Sequence, residues 1–285
     1  QMRYQAALRP EKARILQADI TGVNDARRDF RVAGTACACS PSRASGHALH
    51  PVIRSLRKAG RRSPAVKPMA PTSAPDPRQD CQAIARHLAT VAFPWDTTRA
   101  LELALFRTFA APRIGGLLHG SGEFEARTQK RYDDTDLLVS EIIEHGFDSP
   151  RGSRAIARIN ALHARFRIAN DDFLYVLSSF VFEPIRWNVR FGWRRMSDLE
   201  RLAWFWFWRG VGERMLIRDI PEDYGQFERD SRRYEADNFR CTPASRCVVV
   251  ATREMFAGWF PAPLRPLVRR GIHALLDPPL LAAFD

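Results

Sequence analysis

The sequence predicts an all-α protein, with a single globular multi-helix domain and a basic, largely disordered N-terminal extension. After residue 79, helix-capping residues and prolines recur ahead of apolar runs, at the positions where helices usually begin. Period-two strand patterns joined by Asn-Gly or Asp-Gly turns are missing. All seven Trp and 17 of the 18 Phe follow residue 78, so the apolar core has to be built from the later part of the chain.

Charge divides the chain at the same place, into an extension of residues 1–78 and a domain of residues 79–285. The extension carries 15 Lys and Arg against 5 Asp and Glu, whereas the domain carries 29 against 27. The extension is rich in Pro, Ala, Ser and Arg and lacks a sustained apolar period, so it cannot bury enough surface to offset its chain entropy. The net charge of +12 is mainly a property of the extension, and the near-neutral domain argues against a specific nucleic-acid-binding face.

Targeting and redox signals are weak throughout the sequence. No stretch approaches the roughly 20 apolar residues of a transmembrane helix, and no charged start followed by an apolar run indicates a secretory signal. Asp19, Asp25 and Asp29 argue against a transit peptide. The five Cys form no CxxC pair, which favours reduced thiols. We therefore expect a cytoplasmic protein, with peripheral membrane contact left open.

Local start signals predict the helices of the domain in order. Pro150 directly follows a capping Ser and occupies the first helical position, where a missing N–H removes no hydrogen bond within the helix. Glu200 completes a capping box ahead of "RLAWFWFW". A final helix is expected through "RGIHALLDPPLLAAF". The expected starts lie at Asp96, Ser149, Asn170 and Ser197 and near Pro221 and Pro243.

The helix from Pro150 to about Phe166 has two different faces. One stripe is basic, and the opposite stripe is apolar except for His163, which is therefore predicted to point into the core. A buried neutral histidine bonded to a backbone carbonyl and a ligand to a metal or haem iron both fit this position. The basic stripe contains Arg151, Arg154, Arg158 and Arg165, and the apolar stripe contains Ile156, Ile159, His163 and Phe166.

The preceding helix has an inward stripe that becomes polar. Leu138 and Ile142 continue by turns to Arg131, Asp134 and Thr135. Either this end leaves the core, with Arg131 and Asp134 forming a surface ion pair at i, i+3, or it forms the polar wall of a cavity whose other wall carries His163. Spacing alone leaves both interpretations open.

Four motifs in order resemble the MpaB-type oxygenase family, whose catalytic domain is shared with rubber oxygenase, the latex clearing protein. They are "RTQKRYDDTDLL", "INALHARFRIANDDFLYVLSSFVFEPIRW", "GWRRMSDLERLAWFWFWRGVGERMLIRDIPEDY" and "HALLDPPLL", and the resemblance covers about residues 80–285. It implies an all-helical domain that binds haem b, and thus iron, through one histidine. It also implies that dioxygen oxidises or cleaves a carbon–carbon double bond of a hydrophobic, isoprenoid-type substrate.

The family's site residues carry over at specific positions. His163 matches the histidine that serves as proximal iron ligand, and Arg131 and Thr135 match the distal pair of the Arg-x-x-Lys-Thr pattern. Asp134 replaces the lysine of that pattern, so the same distal coordination is not implied. For such chemistry we expect Arg131 to supply a fixed charge and Thr135 a hydroxyl, and Asp134 to orient Arg131 or, if burial raises its pKa, to shuttle a proton. No residue matches the glutamate base of the polymer-cleaving members.

Other polar residues and aromatic runs have simpler explanations. His145 precedes Gly146 at a predicted helix end, while His119, expected in a Gly-rich turn, and His273 are candidates for a second axial ligand. Arg186 is expected to pair with Glu183 rather than with a haem propionate. The aromatic residues available for an apolar pocket are Phe173, Phe180, Phe182 and the run from Trp204 to Trp208.

Two other classes of function stay open. One is a helical binding module whose basic extension attaches it to nucleic acid or to an anionic membrane. The other is a haem-free scaffold or interaction protein of the same fold. Phosphate-handling enzymes are disfavoured, because "GVGERM" supplies Gly210 and Gly212 without a third glycine or a preceding strand.

Overall fold

The computed structural model describes residues 74–284, so most of the predicted extension lies outside the described residues. Within that range the chain is all-α, as predicted, with no β-strand. None of the helices in residues 74–284 has the length and apolar character needed to cross a membrane. The helices are α1 (Cys81–His87), α2 (Pro94–Phe109), α3 (Pro112–Gly120), α4 (Glu123–Ala126), α5 (Thr128–His145), α6 (Pro150–His163), α7 (Asn170–Arg190), α8 (Asp198–Arg214), α9 (Tyr224–Asn238), α10 (Pro243–Gly258), α11 (Arg265–Leu275) and α12 (Pro278–Phe284), with a π-helical turn at Leu88–Ala92 and a 3-10 turn at Ala262–Leu264.

Two apolar clusters form the core. The larger one packs α1, α5, α6, α7 and α8 around the fully buried Trp204 and Phe207. The smaller one joins α2, α4, α10 and α12 through residues such as Phe109, Val248 and Leu280. Helix α7 packs along α2, α5 along α6, and α10 along α3. Helix α5 contacts both clusters: Tyr132 in its N-terminal half packs on the smaller one, and Leu138 and Ile142 in its C-terminal half belong to the larger one.

Two of the predicted caps are confirmed. The Ser149 hydroxyl accepts a hydrogen bond from the Gly152 N–H at 2.9 Å at the start of α6. Ser197 and Glu200 form the expected capping box of α8, with the Ser197 N–H donating to the Glu200 carboxylate at 2.8 Å. Both signals depend on residues within one helical turn, so the sequence determines them locally.

Two other predicted caps are wrong, because distant partners use the side chains instead. Helix α2 begins at Pro94, before Asp96, and the Asp96 carboxylate accepts a hydrogen bond from Trp187 Nε1 at 2.9 Å. Asn170 is the first residue of α7 rather than its cap, and its amide bonds the backbone of Arg218 in both directions at 3.0 Å.

The ends of two predicted helices also differ. Helix α6 ends at His163, so Phe166 lies beyond the helical stripe and is exposed rather than directed inward. The predicted final helix is two helices, α11 and α12, because Leu276 adopts an extended conformation ahead of the two prolines that begin α12. Proline disfavours helical geometry in the residue before it, and Asp277 precedes Pro278, which explains the break between the two helices.

Candidate functional site

Helices α5 and α6 form an antiparallel hairpin with a short connection, so residues equally far from the connection become neighbours. Arg131 lies 14 residues before the end of α5 at His145, and His163 lies 13 residues after the start of α6 at Pro150. The hairpin therefore places the polar stripe of α5 beside the C-terminal end of α6. The inward stripe of α5 is confirmed further along the helix, since Leu138 and Ile142 are buried.

His163 has a buried imidazole nitrogen without a hydrogen bond. Its Nδ1 atom is buried and has no hydrogen-bond partner among the described residues. The ring lies 5.3 Å, between centroids, from Phe173 of α7. Burial lowers the pKa of His163, and the nearby positive charge of Arg131 lowers it further. The imidazole is therefore neutral at neutral pH, which is the form that ligates a metal.

Arg131 is a largely buried cation whose side-chain hydrogen-bond partner is a hydroxyl rather than a carboxylate. Its guanidinium donates to Thr135 Oγ1 and lies 5.5 Å from the centre of the Phe124 ring. The Thr135 hydroxyl donates in turn to the Arg131 carbonyl at 3.0 Å. Burial lowers the pKa of Arg131, partly offset by the charges of Asp134 and Glu123. Side-chain contacts thus join Arg131 and Thr135 directly.

Asp134 lies on a different face of α5. Its carboxylate accepts a hydrogen bond from Lys130 Nζ at 2.5 Å, and its side chain is 47% exposed. The surface pair considered for Arg131 and Asp134 is therefore replaced by a Lys130–Asp134 pair at i, i+4. Asp134 also lacks the burial on which a proton-shuttling role was conditional.

Arg131 and Thr135 line a small cavity of about 30 Å³ that is partly open to solvent. The cavity lies between α2, α4, α5 and α10, at the smaller core cluster. His163 is not among its lining residues, so Arg131 connects the cavity with the histidine through its charge. The other lining residues are Glu102, Leu105, Phe109, Phe124, Thr128, Tyr132, Thr252, Met255 and Phe256.

Glu102 and Tyr132 are polar residues of this cavity that the sequence analysis missed. The Tyr132 hydroxyl donates to Glu102 Oε1 at 2.6 Å, and Arg99 lies 2.7 Å from the same carboxylate oxygen. Burial raises the pKa of Glu102 to about 7, although Arg99 and the Tyr132 hydrogen bond lower it. The signal in the sequence was a single acidic residue within the apolar run "ALELALF". A carboxyl group in this state can hold or release a proton near neutral pH.

Most of the aromatic residues considered for a pocket are core residues instead. Phe182 and Trp204 are almost fully buried in the larger cluster. Phe180 packs on Trp208 with 4.9 Å between ring centroids, and of these candidates Phe173 contacts His163. The apolar lining of the cavity comes from α2, α4 and α10, which are distant in sequence from the aromatic runs.

The other histidines considered as ligands have different surroundings. His119 is in α3 rather than in a Gly-rich turn, and its Nδ1 lies 2.7 Å from Glu125. His145 ends α5 before Gly146, whose φ of 82° stops the helix as predicted. His273 lines a second cavity near α11. In residues 74–284, no group of three or more His, Cys, Asp or Glu side chains is placed to hold a metal ion.

Comparisons with known proteins identify the class of protein. The family described as "ER-bound oxygenase mpaB/B'/Rubber oxygenase, catalytic domain" matches residues 97–285. This match agrees with the all-α fold of residues 74–284. The chain belongs to the MpaB and rubber oxygenase family.

Three curated relatives share a segment of 140 residues with the chain. The ER-bound oxygenase mpaB of Penicillium roqueforti (strain FM164) is 36% identical over this segment, which covers 47% of each protein. The ER-bound oxygenases mpaB and mpaB' of Penicillium brevicompactum are each 35% identical, over 47% of this chain and 36% or 33% of the relative. The match thus spans about half of the first relative and about a third of the other two.

Proposed function

We propose that the protein is a haem b-dependent oxygenase in which His163 is the proximal iron ligand. One observation carries this proposal: a neutral, largely buried imidazole has an unbonded buried nitrogen beside a largely buried arginine. Leaving a buried polar nitrogen unpaired costs free energy, which a bond to a metal would recover. Haem b suits this donor set because its iron takes a single histidine on the proximal side. Membership of an oxygenase family agrees with this assignment.

When bound, haem b would supply an iron centre that reacts with dioxygen. The residues of the chain supply what surrounds that chemistry. Arg131 is a fixed positive charge held by Thr135, and both line the cavity where a polarised oxygen atom can be oriented. Glu102 Oε1, hydrogen-bonded to the Tyr132 hydroxyl, holds or accepts a proton at the same cavity. Asp134 affects Arg131 through its negative charge, which raises the pKa of the guanidinium.

The substrate we infer is hydrophobic and of the isoprenoid class. The cavity presents Leu105, Phe109, Phe124, Met255 and Phe256 beside a small number of polar groups. Such a lining favours an apolar group of a substrate, while the polar groups are placed to fix the position of the reacting bond. The reaction that this arrangement supports is the dioxygen-dependent oxidation or cleavage of a carbon–carbon double bond.

The first test is an absorption spectrum of the full chain, purified from cells supplied with a haem precursor. We expect a Soret band that shifts when dithionite and CO are added, because haem held by one histidine would bind CO. His163→Ala should lose the band, whereas His119→Ala should retain it, since His119 pairs with Glu125 on the surface.

Two results would contradict the proposal in different ways. Stoichiometric haem in His163→Ala would show that another residue ligates the iron. A wild-type protein without a Soret band after haem reconstitution would favour the haem-free scaffold or interaction protein.

A further inference from the structure

Exposed aromatic and aliphatic side chains gather where α2 begins and α7 ends. Trp193 is 71% exposed and Trp95 is 53% exposed, which is unusual for residues of this size. Val91, Val189 and Phe191 are exposed in the same two segments. We call these five residues the aromatic surface. Single exposed apolar residues are ordinary, but a contiguous group marks a site of interaction.

Ring contacts show that the two segments form one surface. Trp193 lies 5.9 Å from the buried Phe93, and its Nε1 donates to the Ala92 carbonyl at 3.0 Å. On the other side, Trp187 lies 6.0 Å from Trp95 and 4.7 Å from Phe191, measured between ring centroids. The exposed rings are therefore held by buried neighbours, and the surface is formed before any partner binds.

Arginines are interleaved with these rings. The Arg190 guanidinium lies 4.6 Å from the Phe191 ring, and that of Arg194 lies 5.1 Å from Trp193. Arg194 pairs with Glu200 at 2.7 Å, whereas Arg190 donates to the Leu275 carbonyl. Arg195 is exposed beside them.

Carboxylates are few at this surface. Asp96 is engaged by Trp187 Nε1, and Glu200 by Arg194. From Val189 to Met196 the chain contains three Arg and no Asp or Glu. The aromatic surface is thus apolar at its centre and positively charged along the α7 side.

We propose that the aromatic surface docks the protein on a membrane that carries anionic headgroups. Indole rings prefer the boundary between headgroups and acyl chains, since one part of the ring is apolar and the N–H is polar. Arginines extend their charge to lipid phosphates while their aliphatic stems lie along apolar surface. The two exposed Trp and Phe191 match the acyl-chain side of that boundary, and the neighbouring Arg match its headgroup side. This inference does not depend on haem binding.

The test uses the full chain with vesicles of phosphatidylcholine alone or mixed with phosphatidylserine. The basic extension can also attract anionic lipid, but it contains no Trp. Phosphatidylcholine with brominated acyl chains, which quenches indole fluorescence at short range, therefore reports on the domain. We expect quenching in the wild-type protein, stronger when phosphatidylserine is present.

Matched variants locate the docking surface. Trp95→Ala combined with Trp193→Ala should abolish most of the quenching and weaken vesicle binding at least about tenfold in 0.5 M salt, where attraction by the extension is screened. Leu216→Ala is the control, because Leu216 is 79% exposed at the end of α8 and is not part of the aromatic surface. Arg190→Gln combined with Arg195→Gln should remove the preference for phosphatidylserine in the quenching.

Three outcomes would overturn the proposal. The first is vesicle binding by the wild-type protein without quenching, which would place the membrane contact in the extension. The second is quenching that the double Trp variant leaves unchanged. The third is the absence of quenching together with concentration-dependent dimerisation that the double Trp variant abolishes, which would make the aromatic surface a protein interface.

Discussion

Arg131 lies near His163, largely buried, although a positive charge there opposes protonation of the ring. Together with burial, that charge lowers the pKa of His163 and keeps a ring nitrogen available as a ligand. Thr135 accepts the guanidinium hydrogen bond without neutralising it, so the charge stays effective at the cavity. A carboxylate in place of Thr135 would cancel the charge.

Arg131→Ala is expected to retain haem and to lower oxygen-dependent turnover about 100-fold, the loss typical of removing one stabilising donor. Haem content from the Soret band and substrate-dependent oxygen consumption measure the two effects. Lys130→Ala is the control on the same helix, because Lys130 pairs with Asp134 at the surface. Equal losses of turnover in both variants would argue against a site role for Arg131.

Glu102 makes the stability of the protein depend on pH. Its pKa is about 7 in the folded state, above the ordinary carboxyl value of 4.5, because the carboxyl is buried. The stabilising contribution is therefore fully present below pH 4.5 and is lost as the pH rises through about 7. A shift of this size corresponds to roughly 3 kcal/mol.

Glu102→Gln is expected to remove that dependence, so the free energy of unfolding should fall less between pH 5 and pH 8 than in the wild-type protein. Urea unfolding at a series of pH values provides the measurement. Glu254→Gln is the opposite control, since Arg269 lowers the pKa of Glu254 and its contribution is lost as the pH falls. Parallel pH profiles for Glu102→Gln and the wild-type protein would contradict the raised pKa.

At the scale of elements, the α5–α6 hairpin depends on close backbone contact. A Cβ atom at Gly152 would lie 1.9 Å from the Gly146 carbonyl oxygen, so no side chain fits there. Gly146 has a φ of 82°, a conformation that glycine adopts without strain. The two glycines thus allow the tight connection that aligns Arg131 with His163.

Gly152→Ala is expected to lower the free energy of unfolding by about 1–3 kcal/mol or more, because the added methyl group displaces backbone rather than a flexible side chain. Thermal or urea unfolding followed by circular dichroism measures the loss. In Gly116→Ala, the control in α3, the new Cβ meets nothing within 4 Å, and stability should rise by up to about 1 kcal/mol. A Gly152→Ala protein as stable as the wild type would show that the hairpin accommodates the added methyl group without loss of stability.

At the scale of the whole molecule, a buried ionic network centred on Arg107 joins distant helices. The guanidinium donates to Glu235 at 2.8 Å and 3.1 Å and to Asp277 at 2.5 Å, and lies 3.3 Å from Glu183. Glu183 also accepts a hydrogen bond from Arg186 at 2.7 Å, which confirms the predicted pair. Burial raises the pKa of Glu183. The network connects α2, α7 and α9 with the segment before α12.

Arg107→Met is expected to destabilise the protein by about 3–5 kcal/mol at pH 7, because the carboxylates lose the cation that they share. Arg186 then remains as the cation beside Glu183 and Glu235. The loss should shrink at low pH, where those carboxyl groups are protonated. Arg127→Ala breaks an exposed i, i+4 pair with Glu123 and should cost no more than about 1 kcal/mol. Similar unfolding midpoints for both variants would contradict a stabilising network.

Features that depend on neighbours along the chain could be predicted from the sequence alone. Such features involve residues within one or two helical turns, so their pattern can be recognised without the tertiary structure. They include capping by Ser149 and Ser197 and the inward stripe of Leu138 and Ile142. The same local patterning predicted the all-α class, and the ordered motifs predicted the family. The assignment of His163 to iron stays a prediction.

Tertiary structure decided which distant side chains meet. Asp96 caps no helix because Trp187, 91 residues later, takes its carboxylate. Glu102 becomes a cavity residue because Tyr132, 30 residues later, folds against it. Hydrogen bonds and charges act over a few ångströms in space, and packing rather than sequence spacing brings such groups together. Helix positions could therefore be predicted from the chain, whereas the proton-holding carboxyl of the cavity, the Arg107 network and the aromatic surface could not.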